Sequence, residues 1–379
     1  MEYRRLGKTD LMASVVGLGC EYFNGKPVET AAAMMDAAMA GGVNIIDIYL
    51  SSPDLRSLIG EVLRGRRDRM IIQGHVGSTW QDSQYEKTRD LAECAAALED
   101  LLTRLGTDYI DVGMLHYVDT VEDLEASQPL IAFMEQKRAE GVFKCLGFSS
   151  HEPAVAAKLV ETGRFDVVMF SVNPLFDLVF PDMDRFFTMP ADEPYPEELF
   201  IDPARAEFYR LCEARGVSIT VMKSLAAGGL LDPCDSPFKA AMSVPQCIHY
   251  AASRPAVASV LVGVGSVDEV QDALSYCTAS KEALDFTHII NNVGGGRDKR
   301  CMYCNHCLPC PAHIDVAAVT RLADEAAKGG GAQELKRRYA SLEVKPSSCV
   351  KCGACLARCP FGVDVVGNLE KAVRLFENA

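Results

Sequence analysis

The sequence predicts an α/β protein, a closed (β/α)8 barrel followed by a small C-terminal helical domain. Three observations predict it. Eight short apolar runs alternate with longer amphipathic stretches over the first ~285 residues. These runs are continuously apolar rather than alternating, as parallel strands covered on both faces are. Beyond about residue 300 the runs stop and a cysteine-dense segment with helical periodicity begins.

The strands are expected at 15–19, 43–49, 69–75, 109–116, 143–149, 166–172, 217–223 and 258–264. Each is rich in Val and Ile and ends in Gly, Ser, Asn, Asp or His. Between them, 89–105 places Leu91, Cys94, Leu98, Leu101, Leu102 and Leu105 at helical spacing. Residues 128–140 and 153–162 read similarly, and Pro153 suits a first helical turn. Eight such units fit a barrel. An open doubly wound sheet is disfavoured because Gly17 and Gly19 are followed by Tyr22, not the third glycine of a dinucleotide fingerprint. The domains are therefore expected at 1–286 (barrel), 287–300 (a glycine-rich, charged linker) and 301–379 (helical). One connection, 177–203, is too long for a barrel loop. Phe176, Phe180, Phe186, Phe187, Tyr195 and Phe200 punctuate it, and it reads as a lid or as a surface packing on the second domain.

The 379 residues are 49% hydrophobic with a formal charge of −14, which argues against nucleic acid or an anionic membrane as partner. The N-terminus lacks an apolar signal core and no run of about 18 apolar residues occurs, so a soluble cytoplasmic protein is expected.

The 15 cysteines form two populations. Cys20, Cys94, Cys145, Cys212, Cys234, Cys247 and Cys277 are scattered and read as buried apolar side chains. The other eight form two runs, Cys301-x2-Cys304-x2-Cys307-x2-Cys310-Pro311 and Cys349-x2-Cys352-x2-Cys355-x3-Cys359-Pro360. The second matches the bacterial ferredoxin run. Two residues between cysteines let a tight turn aim successive thiolates at neighbouring corners of a cubane, and Gly353 permits close backbone approach. A structural zinc needs four ligands, commonly two Cys-x-x-Cys pairs. Two [4Fe–4S] clusters in a ferredoxin-like domain are the expectation, with exchange of Cys310 and Cys359 between clusters left open.

The opening YRRLGKTDLMASVVGLGC, followed by GGVNIIDIY, IGEVL, DYIDVGMLH, GFSSH, VMKSLAAGGLL and VLVGVGSVDEVQDAL, resembles the aldo-keto reductase superfamily over about 275 residues. The cysteine module resembles that of its ferredoxin-like branch. The resemblance implies a TIM barrel with its site at the C-terminal strand ends. It also implies NADPH-dependent carbonyl reduction by an Asp, Tyr, Lys and His group, in which the Tyr protonates the carbonyl oxygen. Asp47 and His116 match the family Asp and His, but the Tyr position is Ser52 and the Lys position is His75. Tyr49, two residues after Asp47, shares its strand face. For the cofactor, Ser149 and Ser150 fall at the carboxamide-binding pair, Met169 replaces the stacking Gln, and Gly263, Ser266 and Asp272 match the adenosine-phosphate segment with Ala273 in place of an Asn.

Two function classes follow. The first is an iron–sulfur oxidoreductase that reduces or reductively cleaves a small apolar or aromatic substrate. His116 and His75 supply protons, Asp47 holds His75, and NAD(P)H, a ferredoxin or a flavoprotein supplies electrons. The second is a lyase, dehydratase or isomerase using His75, His116, His151 and Asp47 as acid/base groups or as ligands of a divalent metal, with structural clusters. A catalytically silent electron-transfer subunit is the third reading.

Overall fold

The computed structural model describes residues 1–179, 200–290, 301, 303, 305–327, 332–359 and 362–377. Eight parallel strands close a barrel in chain order: β1 Val16–Gly19, β2 Ile45–Ile48, β3 Ile71–Val76, β4 Ile110–Leu115, β5 Phe143–Ser150, β6 Val167–Ser171, β7 Ser218–Met222 and β8 Val257–Gly263. After them come α1 Val28–Ala40, α2 Pro53–Val62, α3 Leu91–Leu105, α4 Gln128–Ala139, α5 Pro153–Glu161, α6 Pro203–Arg215, α7 Val244–Ala252 and α8 Val267–Ser275. The strands are apolar throughout because one face fills the barrel and the other meets helices. Every residue of β3 and β4 is buried. Ile45, Ile71, Val112, Met114, Cys145, Val167, Met169 and Leu261 share the central core, with Leu6 and Ala13 of the N-terminal segment packed on it.

The helix ends follow their sequence signals. Asp90 caps α3, which stops at Gly106 in the left-handed region (φ 63°). Ser243 and Gln246 form a reciprocal capping box on α7. Of the scattered cysteines, Cys20, Cys94, Cys145, Cys212 and Cys247 are buried. Cys234 is exposed and Cys277 half-buried, so the expectation of a uniform buried set fails at these two, which lie outside the strands and the helix faces that pack on them. Of the long connection, Leu178–Val179 pairs antiparallel with Phe200–Ile201. Phe180, Phe186, Phe187 and Tyr195 lie outside the described residues.

The chain divides into two compact units, Met1–Thr79 with Lys87–Gly296, and Trp80–Glu86 with Arg297–Ala379. The segment 80–86, read from sequence as part of the barrel, thus groups with the C-terminal unit. Its hydrogen bonds explain why. Gln84 accepts from the Cys310 N–H (2.8 Å), donates to the Cys310 carbonyl (3.3 Å), and lies 2.9 Å from His313 Nδ1.

Besides the hairpin residues 80–86, the second unit holds the helices α9 Val316–Ala327, α10 Ala332–Ala340 and α11 Val365–Phe376. Its two cysteine runs share one local design. Tyr303 N donates to Cys301 Sγ and Lys351 N to Cys349 Sγ, both at 3.4 Å. Tyr303 and Lys351 have φ of 49° and 53°, and Asn305 and Gly353 of 61° and 76°. Asn and Gly are the residues that tolerate this region best. After each run an Asp caps the next helix: Asp315 accepts from Ala318 N ahead of α9, and Asp364 from Gly367 N ahead of α11. No helix among the described residues is long and apolar enough to cross a membrane.

Candidate active site

The C-terminal strand ends carry a row of hydrogen-bonded groups. Asp47 on β2 faces Gln73 on β3 in register, and Gln73 Nε2 donates to Asp47 Oδ1 at 3.0 Å. Two residues along β3, His75 Nε2 lies 3.0 Å from the same oxygen. Its other nitrogen, Nδ1, is 2.9 Å from Nδ1 of His116, which follows β4. Asp47, His75 and His116 are all buried. Since a carboxylate only accepts, His75 Nε2 carries the proton toward Asp47. Neutral His75 then accepts at Nδ1 from His116 Nδ1–H. In this tautomer His116 Nδ1 is committed to His75. Burial, reinforced by the Asp47 carboxylate, pushes the neighbouring Cys20 thiol up, so it stays protonated. Asp47 Oδ2 and Gln73 Oε1 are buried without a hydrogen-bond partner among the described residues.

Tyr49 stacks nearly parallel to His116 (6.3 Å, 9°) and edge-on to His75 (6.4 Å). Behind His116, Arg89 grips the backbone, donating to the carbonyls of His116 (2.7 Å) and Tyr117 (2.8 Å). Lys87 sits 4.0 Å over the Tyr117 ring.

Ser52 occupies no place in this row. Its hydroxyl accepts from Leu55 N as the N-cap of α2, ahead of Pro53, and donates to Asn24. His151 is also apart from the other imidazoles. Its Nδ1 lies 2.8 Å from Asp119 Oδ2 and its Nε2 3.0 Å from Lys223 Nζ. The expected metal set of His75, His116, His151 and Asp47 does not converge in the structure: the His75 nitrogens point at Asp47 and at His116 themselves rather than at a common ion, and both nitrogens of His151 are engaged by Asp119 and Lys223. No three metal-ligating side chains converge among the described residues. Burial, and then the Lys223 ammonium, hold the His151 pKa below its ordinary value, so it is neutral at pH 7.

Of the residues expected at a cofactor, Ser149 and Ser150 end β5 and are buried. The Ser150 hydroxyl donates to the Val118 carbonyl (2.7 Å) and to Asp119 Oδ1 (3.2 Å). Met169 faces the barrel core. Gly263 lies under the Tyr22 ring, which a Cβ at 263 would approach to 2.7 Å. Ser266 caps α8, accepting from Glu269 N, and Asp272 lies within that helix. Helix N-termini suit phosphate groups, and at this one the Gly265 amide is taken by Glu269 Oε2 at 2.6 Å.

Gln73, Asp119 and Lys223 are structural neighbours of the site that sequence reasoning passed over. The one available signal was position: Lys223 directly follows an apolar strand, where a charge belongs at the barrel mouth.

Residues 15–188 match the model of the aldo/keto reductase family. The uncharacterized oxidoreductase YqkF of Bacillus subtilis is 28% identical over 313 residues, covering 74% of this chain and 92% of that protein. Among solved structures, the holo form of aldo-keto reductase AKR11C1 from Bacillus halodurans superposes with a TM-score of 0.59 at 24% identity, over 77% of this chain and 96% of that one. An aldo/keto reductase from Klebsiella pneumoniae, solved with NADP and acetate, gives 0.55 at 18%, over 79% and 98%. The matched segment spans β1 to β6, so over that stretch the chain is similar to aldo/keto reductases, and it shares the eight-stranded parallel barrel with these solved structures.

Proposed function

We propose that the chain is an oxidoreductase that reduces, or reductively cleaves, a small apolar or aromatic organic substrate at the barrel mouth. The observation that carries this is the Asp47–His75–His116 row. In a family whose chemistry needs a proton donor beside the hydride site, Ser52 and His75 occupy the Tyr and Lys positions. The row offers a replacement. With its Nδ1–H held by His75, His116 would act as an imidazolium: it takes up a second proton at Nε2, passes that proton to the substrate oxygen or carbon and returns to the neutral tautomer, while the Asp47 carboxylate, through His75, stabilises the cationic form. Tyr49 walls the site beside both rings.

NADPH, when bound, supplies a hydride. The α8 N-terminus at Ser266, with Gly263 and Asp272, is where this chain would hold the adenosine phosphate, and Ser149 with Ser150 the carboxamide. The fit is partial, because the Ser150 hydroxyl already serves Val118 and Asp119 and Met169 lacks the stacking amide.

Two [4Fe–4S] clusters on Cys301, Cys304, Cys307, Cys310, Cys349, Cys352, Cys355 and Cys359 would supply single electrons, delivered by a ferredoxin or flavoprotein. Cys304 lies outside the described residues. Support comes from the duplicated turn geometry, and from one narrow cavity lined by Cys307, Cys310, Cys349, Cys352 and Cys355. Thiolates of a cubane bind different irons and need not converge on one point, as ligands of a single ion must. Cys310 beside the second run favours its exchange into that cluster. Arg358 also donates to the Pro309 carbonyl at 2.6 Å, which brings the two fourth cysteines' neighbours together.

The acid/base form of the lyase or isomerase reading draws on the same histidines, and the engaged Ser150 with Met169 favours it over nicotinamide chemistry. NADPH binding, followed by calorimetry on anaerobic protein, separates the two: heat of binding is expected for the reductase and none for the lyase. With an identified substrate, His116→Ala is expected to lower kcat by about 10²–10⁴-fold. Turnover that survives both His116→Ala and His75→Ala refutes the site. For the clusters, about eight irons per chain and a brown colour are expected, and colourless anaerobic protein refutes them.

A further inference from the structure

A second hydrogen-bonded row at the barrel mouth takes no part in the scheme above. Asp119, four residues after β4, grips His151 twice, accepting from its backbone N–H at 2.7 Å and meeting Nδ1 at 2.8 Å. Asp119 is itself steadied by the Ser150 hydroxyl. The far side of the His151 ring, Nε2, lies 3.0 Å from Lys223 Nζ. The His151 side chain is only 4% exposed, whereas Lys223 is partly accessible.

Lys223 is held unusually. Its φ is +63°, a region that costs an L residue about 1–3 kcal/mol and persists only where the surroundings enforce it. They do so here: Asn173, fully buried after β6, donates its side-chain amide to the Lys223 carbonyl at 2.7 Å. The strain turns the side chain of the residue after β7 back across β6 to the residue after β5. An amine within hydrogen-bond reach of an imidazole, itself oriented by a carboxylate, is the arrangement that activates a nucleophile.

We propose that Asp119, His151 and Lys223 form a nucleophilic triad that captures an aldehyde or ketone as a Schiff base on Lys223. His151 Nε2 takes a proton from the Lys223 ammonium, and the resulting imidazolium is stabilised by Asp119. The free amine adds to the carbonyl carbon, forming the C–N bond, and the carbonyl oxygen takes up the proton that His151 had received. The carbinolamine then loses water as its C–O bond breaks, leaving a protonated imine on Lys223. No oxidant, reductant or metal enters the balance. The reaction stands apart from nicotinamide reduction and from the Asp47–His75–His116 row, so either assignment can fail alone.

The test is trapping. Anaerobic full-length protein is incubated with butanal or with acetone, each with sodium cyanoborohydride, and the site of alkylation is located by peptide mass spectrometry. Lys223 is expected to be labelled at least 10-fold faster than exposed Lys281. Lys223→Arg should abolish that label while keeping the charge, and His151→Gln should slow it by 10-fold or more with no loss of thermal stability at pH 7 large enough to unfold the protein. Labelling of Lys223 at the Lys281 rate in the wild-type protein overturns the proposal, a result that needs no variant to fold. An unchanged rate in folded His151→Gln overturns the triad.

Discussion

At the scale of single residues, Ser52 has a structural task that its hydroxyl alone explains. Its hydroxyl caps α2, so Ser52→Ala is expected to cost about 1 kcal/mol of stability. Denaturant unfolding monitored by circular dichroism reads this directly. His151 gives a pH signature. Its native pKa is depressed by burial and by Lys223, opposed by Asp119, with Arg205 adding a smaller depressing effect. As pH falls through about 6.5 the unfolded chain takes up its proton first, so native stability declines with acidification, by about 1.4 kcal/mol for each unit of depression. Melting temperatures between pH 5 and 8 should show this decline in the wild-type protein and a flatter profile in His151→Gln. Asp47, His75 and His116 were legible in the sequence because each sits at or near the end of an apolar run. Asp119 and Lys223 were not, because their partnership depends on a side chain crossing an intervening strand, and on a left-handed backbone at a lysine that no propensity suggests.

At the scale of elements, the eight strands were legible to within two residues at each end, since burial on both faces leaves an unbroken apolar run with few alternatives. The hairpin Ser78–Gln81 with Gln84–Lys87 was not. Its sequence, STWQDSQYEK, is polar, and what orders it is a partner 226 residues away. Gln84 satisfies both backbone groups of Cys310, as a neighbouring strand would. If Cys310 holds a cluster as proposed, Gln84→Ala is expected to loosen it and alter the electron paramagnetic resonance spectrum of the reduced protein, whereas Gln84→Glu keeps the bond from Cys310 N and should alter it less. The α2–α3 contact is tighter still. A Cβ at Gly60 would lie 2.1 Å from the Arg104 carbonyl oxygen, a backbone atom that cannot swing away. Gly60→Ala should destabilise the barrel by about 1–3 kcal/mol, read as a lower melting temperature.

At the scale of the whole molecule, charge is unevenly spread. Residues 297–379 hold 13 Lys and Arg against 9 Asp and Glu, a net +4 on a chain of −14, so the remainder carries −18. A one-electron carrier approaching the cysteine runs meets the basic part of an acidic protein. An acidic carrier is thus expected to reduce the proposed clusters faster than a basic one, with a rate that falls as salt rises, measurable by stopped-flow absorbance. The barrel architecture could be read from the sequence because it repeats a local rule eight times. The membership of 80–86 in the second unit could not, because it follows from a contact with no local rule behind it.

That contact also sets an order of events in time. Gln84 leaves the ribosome 226 residues before Cys310. At about 5–20 residues per second this is a delay of roughly 10–45 s. The barrel strands on either side of the hairpin are made while its partner is still unwritten. The second unit is consequently assembled from two stretches made far apart in time, and the hairpin is held in place only once Cys310 has been synthesised.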